Sequence, residues 1–210
     1  MIKVKEEALR YLGYRGKAPD PATAELLDEA YSELTPVSRP LSCYRLVAKK
    51  DASSLLAGND IIKHLADSDR VIFFAATLGN AADVLIRRAE VNNMAKAVIL
   101  DSLASAMTEE YCDELEAKLK QEYPGNFTWR FSPGYGDYPI DIQLALIRFL
   151  NADKQIGLTV TESNILLPRK SVTAVIGISE KEQEKTVRGC DTCNMREKCA
   201  YRKNGTECGQ

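Results

Sequence analysis

The sequence predicts an α+β fold: a twisted, mainly antiparallel sheet with helices packed on it, followed by a small Cys-rich C-terminal appendage. Three observations carry this. Residues 70–77 contain Val71-Ile72-Phe73-Phe74-Ala75-Ala76, a continuous apolar run of strand length that suits a central strand covered on both faces. Residues 157–163 and 171–179 both read as strands, and the connection between them is too short for a helical crossover, so they are expected to pair antiparallel. Strand-like and helix-like stretches do not alternate strictly, which argues against a doubly wound parallel sheet.

Taken in order, residues 4–14 show helical spacing in Val4, Ala8 and Leu12 and stop near Gly13, whose missing Cβ suits a left-handed cap. A second helix follows, with Asp20 as its cap and Pro21 in its first turn. Its buried face is Ala24, Leu27, Ala30 or Tyr31, and Leu34, and Pro36 and Pro40 are expected to end it. Residues 41–49 alternate, with Tyr44, Leu46 and Ala48 on one side of a half-buried strand, and 60–66 form a short helix before the central run. From 80 to 123 the chain reads as helical with a break near Asn92-Asn93. The stripe Leu100, Leu103, Met107, Tyr111, Leu115, Leu119 buries one face of what is expected to be the longest helix. Pro124-Gly125 ends it, and residues 139–150 begin another helix with Pro139 in the first turn.

A chain of 210 residues, 45% of them apolar, can bury a core of its own in one domain. That domain is expected over 1–180. From 181 the apolar periodicity fades into charge, and 181–210 reads as a separate tail. The net charge of −2, with both signs interspersed, offers no basic face for nucleic acid. The N-terminus lacks the apolar core of a signal peptide, and no run approaches the roughly 20 apolar residues that span a bilayer. A cytoplasmic location is therefore expected, and the six cysteines read as thiols or metal ligands rather than disulfides. Cys43 and Cys112 suit small core positions. Cys190, Cys193, Cys199 and Cys208, with gaps of two, five and eight residues, have the spacing of a metal-ligand set for zinc or an iron–sulfur cluster of the 4Fe-4S kind.

The segment Trp129-Arg130-Phe131-Ser132-Pro133-Gly134-Tyr135-Gly136-Asp137-Tyr138-Pro139 is an apolar run that breaks into Pro and Gly. Its backbone is exposed and turning, and the glycines let a ligand approach the main chain while Arg130 reaches across the turn. A guanidinium grips a carboxylate through two parallel hydrogen bonds, so Arg130 suits an amino-acid-like ligand tail. Glu162, beside Leu158 and Val160 by alternation, needs a partner if its face is apolar. It is expected near the ligand pocket or in an ion pair with Arg130.

Arg130 with Ser132-Pro133-Gly134-Tyr135, the run Gly157-Leu158-Thr159-Val160-Thr161-Glu162-Ser163, and Pro168 with Ser171-Val172 together resemble the activation domain of cobalamin-dependent methionine synthase. Weaker similarity to the stand-alone form of that domain runs through 6–14 and 76–110. The resemblance implies that Arg130 holds the carboxylate of S-adenosylmethionine, that backbone groups at Ser132 orient it, that Pro133 and Gly134 shape the loop, and that Tyr135 lies near the corrinoid. The long form of the family reads Pro-Gly-Tyr-Pro and continues to Cys-Pro, whereas here Tyr135 is followed by Gly136-Asp137-Tyr138-Pro139. An acidic residue of the long form falls at Ser105, with Glu109 one turn later as a candidate partner for the ligand's amino group or sulfonium, or a solvated acid.

The function implied is that of a separate activation subunit of a split methionine synthase. Cobalamin would be held by a core subunit, cob(II)alamin would be reductively methylated, and a donor of flavodoxin or ferredoxin type would supply the electron. No side chain need act as acid or base. Two other functions fit the residues: reductive activation of another corrinoid methyltransferase, or a non-catalytic metal-binding electron-transfer or adaptor module. The chain has no Asp-x-His-x-x-Gly loop to hold cobalamin and no Gly-rich phosphate loop. Its single histidine, His64, reads as structural.

Overall fold

The computed structural model describes residues 2–14 and 16–180, so the expected Cys-rich tail lies outside the described residues. Helix α1 (Ile2–Tyr11) is followed by Gly13 at φ 89°, the left-handed position expected there. Helix α2 (Pro21–Val37) starts as its sequence demands, with the Asp20 carboxylate accepting from the Thr23 N–H and Pro21 in the first turn. Pro36 does not end it. It sits in the last turn, and the stop comes at Ser38, whose amide and hydroxyl both donate to the Leu34 carbonyl.

Strand β1 (Leu41–Ala48), a 3₁₀ turn (Lys49–Leu55) and the short helix α3 (Asn59–His64) lead to β2 (Arg70–Thr77). Helices α4 (Asn80–Asn92) and α5 (Met94–Glu122) divide at Asn93, whose side chain accepts from the Lys96 N–H and caps α5. Then come β3 (Asn126–Phe127), α6 (Ile142–Leu150), α7 (Ala152–Ile156), β4 (Thr159–Val160), β5 (Leu166–Leu167) and β6 (Ser171–Ser179). The main sheet has the order β1-β2-β6-β3 with every pairing antiparallel.

Two expectations are corrected. Helix α6 begins at Ile142 rather than near Pro139, because the residues before it are held in turns by Asp137 and Tyr138. The strands expected to pair across 157–179 lie in different sheets. Chain reversal at Asn164, φ 61°, brings Leu166–Leu167 back onto β4 as a two-stranded sheet, which leaves β6 free to lie between β2 and β3.

The apolar run of β2 splits by alternation between two cores. Val71, Phe73 and Ala75 pack with Val175 of β6 and with Leu146 and Leu150 of α6. Ile72, Phe74 and Ala76 pack with Ala174 and Ile176 of β6 and with Cys112, Leu115 and Leu119 of α5. Phe73 and Phe74 are both fully buried, each contributing about 1.5–3 kcal/mol relative to an exposed side chain. The N-terminal half of α5 packs against α1, α2 and α4 around Leu100 and Leu103, a third core, so α5 is buried on more than the one stripe. Among the described residues no helix is long and apolar enough to cross a membrane.

Candidate functional site

The chain after β3 follows the edge of β6 without forming a continuous strand. The Thr128 N–H donates to the Gly177 carbonyl, and Phe131 makes a two-way bridge with Val175. Between these fixed points Trp129 and Arg130 are displaced from the ladder. Trp129 stacks against His64, ring centroids 4.3 Å apart, and its carbonyl accepts from His64 Nε2–H at 2.8 Å. Phe131 enters the core beneath α6, whereas Arg130 turns toward α5.

Arg130 does not reach across the Pro-Gly turn. Its side chain is only 7% exposed and lies against three carboxylates of α5. Nη2 donates to Glu109 Oε2 at 2.5 Å, and Nη1 donates to Asp113 Oδ1 at 2.7 Å and to Glu116 Oε1. Positions 109, 113 and 116 are four and three residues apart, so one helix face delivers all three acids. Burial opposes the guanidinium's charge, but Glu116, Asp113 and Glu109 outweigh it and hold its pKa above the ordinary arginine value. Lys3 lies near Asp113 and Lys120 near Glu116 on the outer side, at 3.5 and 3.8 Å. Glu109 remains 43% exposed and is the one of the three acids that no lysine pairs among the described residues.

The loop itself is a tight turn. The Tyr135 N–H donates to the Ser132 carbonyl, with Pro133 at the second position and Gly134 at φ 92° at the third, the pattern of a type II turn. Gly134 N–H donates to the Tyr138 carbonyl, Tyr138 N–H to the Tyr135 carbonyl, and the buried Tyr138 hydroxyl to the Leu55 carbonyl. Asp137 anchors the far end. Its carboxylate accepts from the amides of Asn59 (2.7 Å) and Asp60 (2.9 Å) at the start of α3, and the Asp60 carboxylate accepts from the Asp137 amide (3.0 Å). This is why Gly58 is glycine: at φ 106°, an added Cβ would stand 2.6 Å from the Asp137 carbonyl.

Together these groups line a cavity of about 240 Å³. Glu109, Arg130 and the turn residues Ser132, Pro133 and Tyr135 form one side. Leu166, Val172 and the buried Gln143 form the other, and Gln143 ties α6 to the Asn164 carbonyl and to the Thr173 hydroxyl.

A family profile described as the activation domain of vitamin B12 dependent methionine synthase matches residues 31–203, well over half of the chain. The chain belongs to this family. A crystal structure of the MetH reactivation domain bound to AdoHcy is similar, with 15% sequence identity and a TM-score of 0.58 over 98% of this chain and 82% of that one. At that identity it supports the fold. The sequence matches no curated protein.

Within this activation domain the structure brings Arg130, Ser132, Pro133, Tyr135 and Glu109 to one cavity, with Gly134 in the same turn. Glu162 is elsewhere. It is exposed in the turn between β4 and β5, not on an apolar strand face, because the strand stops at Val160. Ser105 accepts from Lys170 Nζ at 2.9 Å. Sequence reasoning missed Asp113, Glu116 and Asp137. The first two were visible as acids at helical spacing beyond Glu109; Asp137 gave no signal short of its contact with α3. Cys43 and Cys112 are buried core residues as expected, and desolvation pushes their thiols up to about 11 and about 12. Cys190, Cys193, Cys199 and Cys208 lie outside the described residues, and among the described residues no cluster of metal-ligating side chains occurs.

Proposed function

We propose that this activation domain binds S-adenosylmethionine at the Arg130 cavity and presents it to cobalamin held by a separate methionine synthase core chain. The observation that carries the reading is the pairing of Arg130 with Glu109 on the wall of one cavity, beneath a glycine turn. The amino-acid end of the ligand is a zwitterion. Its carboxylate can take the Arg130 donor now used by Glu109 while its ammonium takes Glu109, so one ion pair is replaced by two. Glu109, the acid that no lysine pairs among the described residues, also suits the positive charge of the adjoining sulfonium. Gly134 opens the turn for close approach, and Tyr135, 63% exposed, projects from it toward whatever docks above. Leu166 and Val172 give the apolar wall.

Cobalamin held by a partner would supply the cobalt that takes the methyl group, with one electron from a donor of flavodoxin or ferredoxin type and S-adenosylhomocysteine as the leaving group. What this chain contributes is orientation: it fixes the methyl donor's tail and leaves the methyl end free, and no side chain acts as acid or base. His64, the one histidine of the sequence, is engaged with Trp129, which fits a corrinoid held outside these residues. In the same reading Cys190, Cys193, Cys199 and Cys208 hold one metal centre. Anaerobic purification with metal and sulfide analysis distinguishes a dithionite-bleached iron–sulfur cluster from colourless zinc, and finding neither metal removes the centre.

Calorimetry with S-adenosylmethionine tests the main proposal. Arg130→Lys and Glu109→Gln each weaken binding by about tenfold or more, the loss of one charge-assisted hydrogen bond, without emptying the buried position. Absence of binding by the intact protein, both alone and with its cobalamin-bearing partner, overturns it.

A further inference from the structure

We infer that the chain carries a second ligand site, separate from the Arg130 cavity, that takes a free α-amino acid with an apolar side chain. A larger cavity, of about 340 Å³, opens between the first turns of α4, the α5 face at Asp101 and residues 167–170. Lys170 ties this segment to α5: its ammonium donates to the Asp101 carboxylate at 2.8 Å, the Asp101 carbonyl at 3.0 Å and the Ser105 hydroxyl at 2.9 Å. Asp101 faces this cavity, and Glu109, two turns along α5, faces the other.

The observation that points to a ligand is Asp83. It lines the cavity and is 7% exposed, and its Oδ2 accepts from the Arg169 amide at 2.6 Å. Its Oδ1 is buried without a hydrogen-bond partner among the described residues. A carboxylate oxygen in that state is costly, and natural proteins retain such a cost where a ligand, an ion or a bound water relieves it. Two cations on the same cavity, the guanidiniums of Arg87 and Arg169, have no side-chain partner among the described residues. Ile86, Leu167 and Pro168 supply an apolar wall, with Leu167 43% exposed. An unfilled acceptor suits an ammonium, two exposed guanidiniums without a side-chain partner among the described residues suit a carboxylate, and the wall suits a hydrocarbon group. The chemical class that carries all three within a cavity of this size is the apolar α-amino acid.

The test is a calorimetric titration of the full chain with L-leucine, with isocaproate, which has the same skeleton without the ammonium, and with L-leucine methyl ester, which lacks the carboxylate. Leucine binds, and each analogue binds about tenfold or more weakly because each loses one charge-assisted pairing. Asp83→Asn keeps an oxygen for the Arg169 amide but removes the charge. It reduces leucine affinity to that of isocaproate for the wild type, raises the melting temperature of the ligand-free protein, and leaves S-adenosylmethionine affinity unchanged. Arg130→Lys leaves leucine binding unchanged. The inference is overturned if leucine does not bind, if the three compounds bind equally, if Asp83→Asn lowers the melting temperature and so marks the carboxylate as structural, or if S-adenosylmethionine competes with leucine and so makes the cavity part of the first site.

Discussion

Arg130 is a buried cation whose stability depends on its neighbours, and the energetic consequence falls on Glu116. That carboxylate has 11% side-chain exposure and is compensated chiefly by the guanidinium, with Lys120 at 3.8 Å on the solvent side. Removing one partner of a buried pair leaves an uncompensated charge, which costs about 3–5 kcal/mol. Arg130→Ala should therefore destabilise the fold by about that amount, and adding Glu116→Gln should recover part of the loss; equilibrium urea unfolding of the two variants measures it. Strict additivity of the two changes would show that Glu116 does not depend on Arg130. Arg130 was singled out in the sequence through the resemblance of its loop to the family's; by position alone a cation there reads as a surface arginine paired with a nearby acid. Its orientation was not legible. That follows from Phe131 bridging Val175, a long-range register that sends Arg130 to the opposite side, toward α5.

At the scale of elements, the turn that carries Ser132 to Tyr135 is held by α3 rather than by its own sequence. Asp137 grips the first amides of α3, and donation by the Asp60 and Asn59 N–H groups holds its carboxyl below the ordinary aspartate value. A depressed carboxyl contributes stability that is fully present above its unfolded pKa and is lost as pH falls through the folded value. The melting-temperature advantage of the wild type over Asp137→Ala should be constant above the ordinary aspartate range and shrink only as pH falls below it. An advantage that persists unchanged at the lower pH would mean the carboxylate is not the anchor. The division of α4 from α5 was legible because Asn93 is a capping residue placed between two periodic stretches. The partner of β4 was not, because one left-handed residue, Asn164, decides whether the chain turns back at once or runs on to β6.

For the molecule as a whole, β2 belongs to two cores at once, and its partner β6 carries both the bridge to Phe131 and the wall residue Val172 of the cavity. The site is thus an outgrowth of the most deeply packed part of the sheet. The central strand was readable from the apolar run and the fold class from the non-alternating order of strands and helices; the cavity was not, since it joins residues from α5, the 130s turn, α6 and β6. The chain's single tryptophan, Trp129, lies next to Arg130 and forms a three-ring cluster with His64 and Phe131, with ring centroids 4.3 and 5.2 Å from its own. An indole in contact with an imidazole is quenched according to their separation. The protein thus carries its own fluorophore one residue from its anchoring cation, and its emission should change when S-adenosylmethionine is added; a flat titration would show that the ring cluster does not sense the cavity.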